Sequence, residues 1–155
     1  MTDDDWRGRV GSMATDEVAA FLDEPHFCRI ATLDEEGWPY VVPCWQEWRD
    51  GRFWVVARER SAWAAHLNRD GRCAVTVDED GGQRKVVAQC MAHLEEPPGG
   101  KAWVPIGERM ATRYLGENGP SYLGPTLEEP RWLFSLEPIR LKTWQGNDWA
   151  EKYKH

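Results

Sequence analysis

The chain has 155 residues and a formal net charge of −7, so it is long enough for one domain with a hydrophobic core and too short for two large ones. An acidic chain lacks the basic face that nucleic acid or an anionic membrane requires, so neither is expected as a partner. The first residues carry acids where a signal peptide would carry positive charge, and no window approaches the roughly 18 apolar residues of a membrane span. We therefore expect a cytoplasmic location.

Three segments have helical spacing, and six or seven have the alternation of strands. A flexible N-terminal arm is predicted over 1–13 and a single domain over 14–155, with a loop or one short helical turn at 117–130. The predicted helices are 15–22, 61–70 and 105–115. The predicted strands are 26–33, 39–47, 52–57, 72–78, 84–95, 131–137 and 139–144, of which 84–95 is the longest and the last two meet at Pro138.

The predicted order of strands and helices favours a mainly β fold with flanking helices. Hairpin connections and short helices are typical of an antiparallel barrel rather than of a parallel doubly wound sheet. The interior of so small a barrel is filled by side chains, so a flat ligand would lie outside it or in a dimer cleft. Both faces of the strand 39–47 are largely apolar, which predicts a core on one face and a partner, ligand or helix on the other.

Motifs for metal binding and for catalysis by protein side chains are absent from the sequence. The four cysteines have no CxxC spacing and lie in apolar strand-like runs, so we expect buried free thiols at Cys28, Cys44, Cys73 and Cys90. The histidines show no HxxxH or HxH pair, and no nucleophile elbow or glycine-rich phosphate loop is present. We therefore predict no metal and no catalytic residue.

The stretch 57–72 is the leading candidate for a binding site. Ser61 precedes an alanine-rich helix, where its hydroxyl could accept hydrogen bonds from the free amides of the first turn. Those amides, together with Arg58 and Arg60, would attract a phosphate or another anion. The alternative is that both arginines are solvated loop residues and Ser61 is an ordinary helix cap.

The order of three stretches resembles a known family: FLDEPHFCRIATLDEEGWPYVVPCW, FWVVARERSAWAAHLNRDGRCAVTVDED and KVVAQCMAHL. This series is similar to the pyridoxamine 5′-phosphate oxidase-like, FMN-binding split-β-barrel proteins, including actinobacterial flavin/deazaflavin oxidoreductases. The resemblance covers about residues 15–95. The later stretches WVPIGERMATRYLG and PRWLFSLEPIRLKTWQG resemble a tryptophan-rich branch of the same superfamily.

The resemblance implies a homodimer of split barrels with two equivalent cofactor clefts, each formed by both chains. The phosphate would lie beside the crossover helix and the flat ring along the second strand, while Gln89 matches a position from which polar side chains reach either. Trp63 replaces a lysine that is common in the family, so its ring either stacks on the ligand or belongs to the core. The implied cofactor-binding residues are Val42, Pro43, Cys44, Trp45, Arg58, Arg60, Ser61, Trp63 and Gln89.

The resemblance also implies a function. The chain would be an oxidoreductase that uses FMN, the preferred cofactor, or the 8-hydroxy-5-deazaflavin coenzyme to transfer a hydride to or from a small hydrophobic substrate. Arg109 and Arg113 are candidates to bind the acidic tail of the deazaflavin. One alternative is a non-catalytic carrier for a flavin or a haem, with His66 or His93 as a haem ligand. Another is a dimeric scaffold whose cleft is plugged by some of the ten tryptophans.

Overall fold

The computed structural model describes residues 10–154. None of the helices in this range is both long and apolar enough to cross a bilayer. The described helices are α1 (Thr15–Leu22), α2 (Ala62–Arg69), α3 (Trp103–Leu115) and α4 (Gly119–Leu123). The described strands are β1 (Cys28–Leu33), β2 (Pro39–Cys44), β3 (Glu47–Arg49), β4 (Arg52–Arg58), β5 (Arg72–Asp78), β6 (Lys85–Glu96) and β7 (Arg131–Trp144).

Across the described chain, seven strands form one antiparallel sheet in the order β2-β1-β5-β6-β7-β4-β3. β1 and β2 form the predicted hairpin, in which the carboxylate of Asp34 accepts hydrogen bonds from the backbone N–H of Glu36 and of Trp38, each at 2.9 Å. α2 connects β4 to β5, which are not neighbours in the sheet. The predicted antiparallel split barrel with flanking helices is confirmed.

The main core lies on one face of this sheet. Strand alternation directs every second side chain toward it, so Phe53, Val55 and Ala57 of β4 are at most 1% exposed. α1 contributes Phe21 and α2 contributes Leu67 to the same cluster. These two helices therefore cover the main core, and their apolar stripes explain why they form beside the sheet.

A second, smaller core lies between α3 and the opposite face of β4 and β7. The residues of β4 that alternate with the main-core positions, Trp54 and Val56, pack here. Helical spacing brings Ile106 and Met110 of α3 to the same side, where both are buried with Trp103. The sheet is therefore covered on both faces at β4, and a space remains where α3 meets the strand ends.

The last strand corrects two predictions. A single 14-residue strand, β7, replaces the two strands expected on either side of Pro138. Pro138 lies opposite Cys90 at a register shift that follows Gln89, and such a bulge tolerates a residue that has no backbone N–H. β7 is also longer than the 12-residue β6, so the prediction that 84–95 is the longest strand was wrong.

Several element boundaries also differ from the predictions, and β1 begins at Cys28 rather than at residue 26. α3 begins at Trp103, two residues before the predicted start, because Pro105 is compatible with the first turn of a helix. The predicted strand 39–47 ends at Cys44, and Glu47–Arg49 forms the separate strand β3.

The described part of the predicted N-terminal arm is joined to the end of β7. The backbone of Gly11 exchanges hydrogen bonds with that of Gln145, at 3.1 and 2.8 Å. The N–H of Met13 donates to the hydroxyl of Thr143 at 2.8 Å. Residues 1–9 of the arm lie outside the described residues.

Candidate functional site

The end of β4 and the start of α2 place Arg58, Arg60 and Ser61 around a cavity of about 690 Å³, here called the loop cavity. Glu59 and Glu129 line it too, so its charges are mixed. Ser61 occupies the predicted N-cap position of α2, but its hydroxyl makes no capping hydrogen bond within the described chain. The capping hydrogen bond predicted for Ser61 is therefore not formed.

A second cavity, of about 500 Å³, lies between the sheet and the helices and is here called the aromatic cavity. Arg58 lines both cavities. The sheet side is lined by Pro43, Cys44, Trp45, Val56, Arg58 and Arg131. The helical side includes Trp103, Met110, Tyr122 and Leu123. The structure thus places Pro43, Cys44 and Trp45, which were predicted to lie beside the ring, next to Arg58. Arg58 was predicted to bind the phosphate.

Trp45 forms a rigid wall of the aromatic cavity. Its ring stacks on that of Tyr114, with centroids 5.1 Å apart and planes inclined by 7°. The Tyr114 hydroxyl donates to the backbone oxygen of His26 at 2.8 Å and accepts from the backbone N–H of Gln46 at 3.2 Å. Tyr122 makes a tilted contact with Trp45 at 5.9 Å. This network holds the indole in place before any ligand binds.

Arg131, at the start of β7, was missed by the sequence analysis. Its side chain is buried, with 7% of the residue exposed, and its guanidinium lies 4.3 Å from the centroid of the Trp103 ring. It donates to the backbone oxygen and the hydroxyl of Thr126, at 3.2 and 2.9 Å. Burial lowers the pKa of Arg131, because the charged form loses its hydration.

Arg131 lies directly opposite Arg58 in the pairing of β4 with β7. Residues at paired positions point to the same face of a sheet, and like charges placed there repel each other. Neither arginine forms an ion pair with any carboxylate in the described residues, although the charge of Glu129 is near enough to raise the pKa of Arg131. Two positive charges thus converge on the aromatic cavity, which favours an anion there.

The other predicted site residues lie elsewhere. Val42 packs against the main core. Trp63 is only 9% exposed within that core, which supports the structural alternative for its ring. Gln89 is exposed on the outer face of β6, where it lines a different cavity of about 510 Å³ together with Met91 and Ile139. A single chain therefore does not bring Gln89 to Arg58.

The four cysteines are free thiols, as predicted, and two of them are fully buried while Cys44 and Cys73 are half-buried. The sheet places them in two directly opposed pairs, Cys28 with Cys44 and Cys73 with Cys90, which the sequence analysis did not foresee. Hydrogen bonding within each pair, and then burial, raises the pKa of Cys28 and of Cys73. The thiolate form of both side chains is therefore disfavoured.

His66, His93 and Arg109 already have partners. A ring nitrogen of His66 shares a hydrogen bond with the Thr32 hydroxyl at 2.9 Å, and His93 lies 3.5 Å from the carboxylate of Glu137. No group of His, Cys, Asp or Glu in the described chain could hold a metal ion. Arg109 pairs with Glu47 at 2.7 Å, and this ion pair offsets charge that a polyanionic tail would require. Arg113 lies 4.0 Å from Asp23, and its Nε and Nη2 are buried without a hydrogen-bond partner in the described chain.

The sheet order, the covering helices and the cavities at the end of β4 define the protein class as a split β-barrel. The model of the family described as pyridoxamine 5′-phosphate oxidase matches residues 14–145. The chain belongs to this family. A comparison with curated proteins found no match.

Solved structures share the fold. The conserved hypothetical protein Rv2991 from Mycobacterium tuberculosis is 25% identical, with 90% of this chain and 88% of that chain covered and a TM-score of 0.72. A protein described as an F420 reductase is 18% identical, with 79% and 93% covered and a TM-score of 0.65. The haem storage protein HutZ from Vibrio cholerae is 20% identical, with 84% and 96% covered and a TM-score of 0.64.

Proposed function

We propose that the protein is a flavin- or deazaflavin-dependent oxidoreductase that acts on a small hydrophobic substrate in the cytoplasm, with FMN as the preferred cofactor. The observation that carries the proposal is the aromatic cavity, in which Pro43, Cys44 and Trp45 adjoin Arg58. An apolar, aromatic-walled cavity with a few convergent polar groups is typical of a site for a flat ligand. Family membership supports the same conclusion.

The residues present fit such a cofactor in both shape and charge. Arg58 and Arg60 supply positive charge without ion pairs in the described chain, and Trp45 offers a fixed aromatic surface. When bound, the cofactor would accept or deliver a hydride, and the protein would contribute orientation and exclusion of water. No side chain needs to act as an acid or base.

Two of the similar structures point to different ligands. The name of one describes an F420 reductase, which supports deazaflavin chemistry for this chain. The name of the other describes a haem storage protein. His66 and His93, the candidate haem ligands, are both absent from the described lining of the aromatic cavity, so we favour the flavin or deazaflavin there.

Titration of the apo-protein with FMN and, separately, with the deazaflavin tests the proposed function. We expect FMN to quench tryptophan fluorescence with a dissociation constant on the order of micromolar, because Trp45 lines the cavity and Arg58 adds a charge-assisted contact. Tighter binding of the deazaflavin than of FMN would identify the deazaflavin as the cofactor and leave the proposed class of oxidoreductase unchanged. Binding of haem alone would contradict the proposal.

We also propose that the protein forms a homodimer through the outer face of its sheet. Several apolar side chains are exposed there, including Val41 and Ile139 at 62% each and Val87 at 45%. Several exposed apolar side chains on one face of a sheet are typical of a protein interface. In a dimer this face would be covered, and Gln89 would lie within the interface.

Substitution Ile139→Glu is expected to shift the protein from dimer to monomer, because it buries an unpaired charge in the proposed interface. Sedimentation velocity at several concentrations measures the mass. Leu115→Glu is the matched control, since Leu115 is exposed at the end of α3, away from this face. A wild-type protein with the mass of one chain at all concentrations would disprove the dimer.

A further inference from the structure

The least expected feature of the cavity wall is a buried arginine without a counter-ion. Arginine is rarely buried unless it is paired, because desolvating its charge is costly. Arg131 is 7% exposed, and the hydrogen bonds described for it go to the neutral oxygens of Thr126. These two bonds use two of its five N–H donors, so three remain for a ligand.

A neighbouring donor is also unsatisfied. The indole Nε1 of Trp103, whose ring stacks on the guanidinium of Arg131, is buried and has no acceptor in the described chain. A buried donor without an acceptor is costly and calls for an explanation. Around Trp103 and Arg131, hydrogen-bond donors therefore outnumber the acceptors of the described chain. An anion bound here would supply the missing acceptor.

The two cavities differ in how well they suit an anion. In the loop cavity, Glu59 and Glu129 offset the charges of Arg58 and Arg60. The described lining of the aromatic cavity includes two arginines and no carboxylate. Low-dielectric walls strengthen the attraction between these arginines and an anion. The aromatic cavity is therefore the better anion site.

We propose that Arg131 and Arg58 form an anion clamp in the aromatic cavity, which binds the anionic end of a flat aromatic molecule. The ring system of this ligand would lie against Trp45 and Tyr122, and its carboxylate or phosphate would accept from the two guanidinium groups. This inference builds on the proposed function, because either the cofactor or an aromatic substrate could supply the anion. It assigns a binding role to Arg131, and it places the anion on the helix-covered side of β4 rather than beside Arg60.

Two pairs of probes test the clamp, and each pair differs only in its anionic group. FMN is compared with riboflavin, and 2-naphthoate with 2-naphthylmethanol, by tryptophan quenching of the full chain. The variant Arg131→Gln removes the charge, whereas Arg131→Lys keeps it and loses the planar fork. Arg69→Gln is the matched control, because Arg69 is an exposed arginine at the end of α2 that is absent from the described lining of both cavities.

We expect Arg131→Gln to weaken binding of one anionic probe by more than about tenfold and to leave its neutral partner unchanged. Arg131→Lys should cause a smaller loss, and Arg69→Gln none. If Arg131→Gln loses affinity for FMN only, the cofactor is the source of the anion. If it loses affinity for 2-naphthoate only, the substrate is the source. If the wild-type protein binds 2-naphthoate through Arg131 but neither FMN nor the deazaflavin, the proposed function fails and the clamp stands.

The clamp would be overturned if Arg131→Gln bound each of the four probes as tightly as the wild-type protein does. An equal loss for the anionic and the neutral member of each pair would also overturn it, because that result indicates a structural role for Arg131. Should Arg131→Gln fail to fold, Arg131→Lys decides, since an unchanged preference for anionic probes in a folded Arg131→Lys protein would also overturn the forked clamp.

Discussion

Replacing Trp103 with alanine is expected to lower the free energy of unfolding by about 3–5 kcal/mol. The residue is 1% exposed at the centre of the second core, and a Cβ built on Gly107 would lie only 3.0 Å from its ring. Such close packing leaves little room for the surroundings to collapse, so a large cavity would remain. The substitution also removes the surface on which the Arg131 guanidinium stacks.

Urea unfolding followed by circular dichroism measures this loss. Trp149→Ala is the matched control, because Trp149 is 73% exposed and its removal should change stability by no more than about 0.5 kcal/mol. A loss below about 1 kcal/mol for Trp103→Ala would show that α3 does not depend on this ring.

The second large effect is expected from Arg58→Gln, which should weaken FMN binding by more than about tenfold. Charge-assisted hydrogen bonds contribute about 1.5–3 kcal/mol each, and Arg58 lines both cavities. Arg60 lines only the loop cavity in the described chain, where Glu59 and Glu129 offset its charge. Arg60→Gln should therefore weaken binding by a few-fold at most.

Parallel titrations of the two variants with FMN and riboflavin measure the difference. The comparison also separates the two possible phosphate positions, because a phosphate beside α2 would make Arg60→Gln the more damaging change. Unchanged FMN affinity in both variants would reject a phosphate site at the end of β4 altogether.

The sequence predicted the fold better than it predicted the site. Alternation of apolar residues located each principal strand, and helical spacing located α1, α2 and α3. The error at Pro138 has a physical cause: local sequence indicates a strand break, whereas a bulge against Cys90 lets the strand continue.

The structure brings only some of the residues predicted for the site together. Pro43, Cys44, Trp45 and Arg58 line one cavity. Trp63 lies in the main core, and Gln89 lies on another face of the sheet. Arg131 carried a usable signal, because it is a charged residue at the start of an apolar strand in alternation with Leu133. That signal indicates a position on a strand and does not indicate which strand lies beside it.

By itself, the sequence determined the positions of the principal helices and strands and the alternation of their faces, because both depend on interactions between residues a few positions apart. Only the tertiary structure decided that β7 pairs with β4 and so places Arg131 opposite Arg58. Only the packing of α3 on that pair buried Arg131 against Trp103. Strand pairing and burial depend on segments far apart in the chain, and local periodicity does not report them.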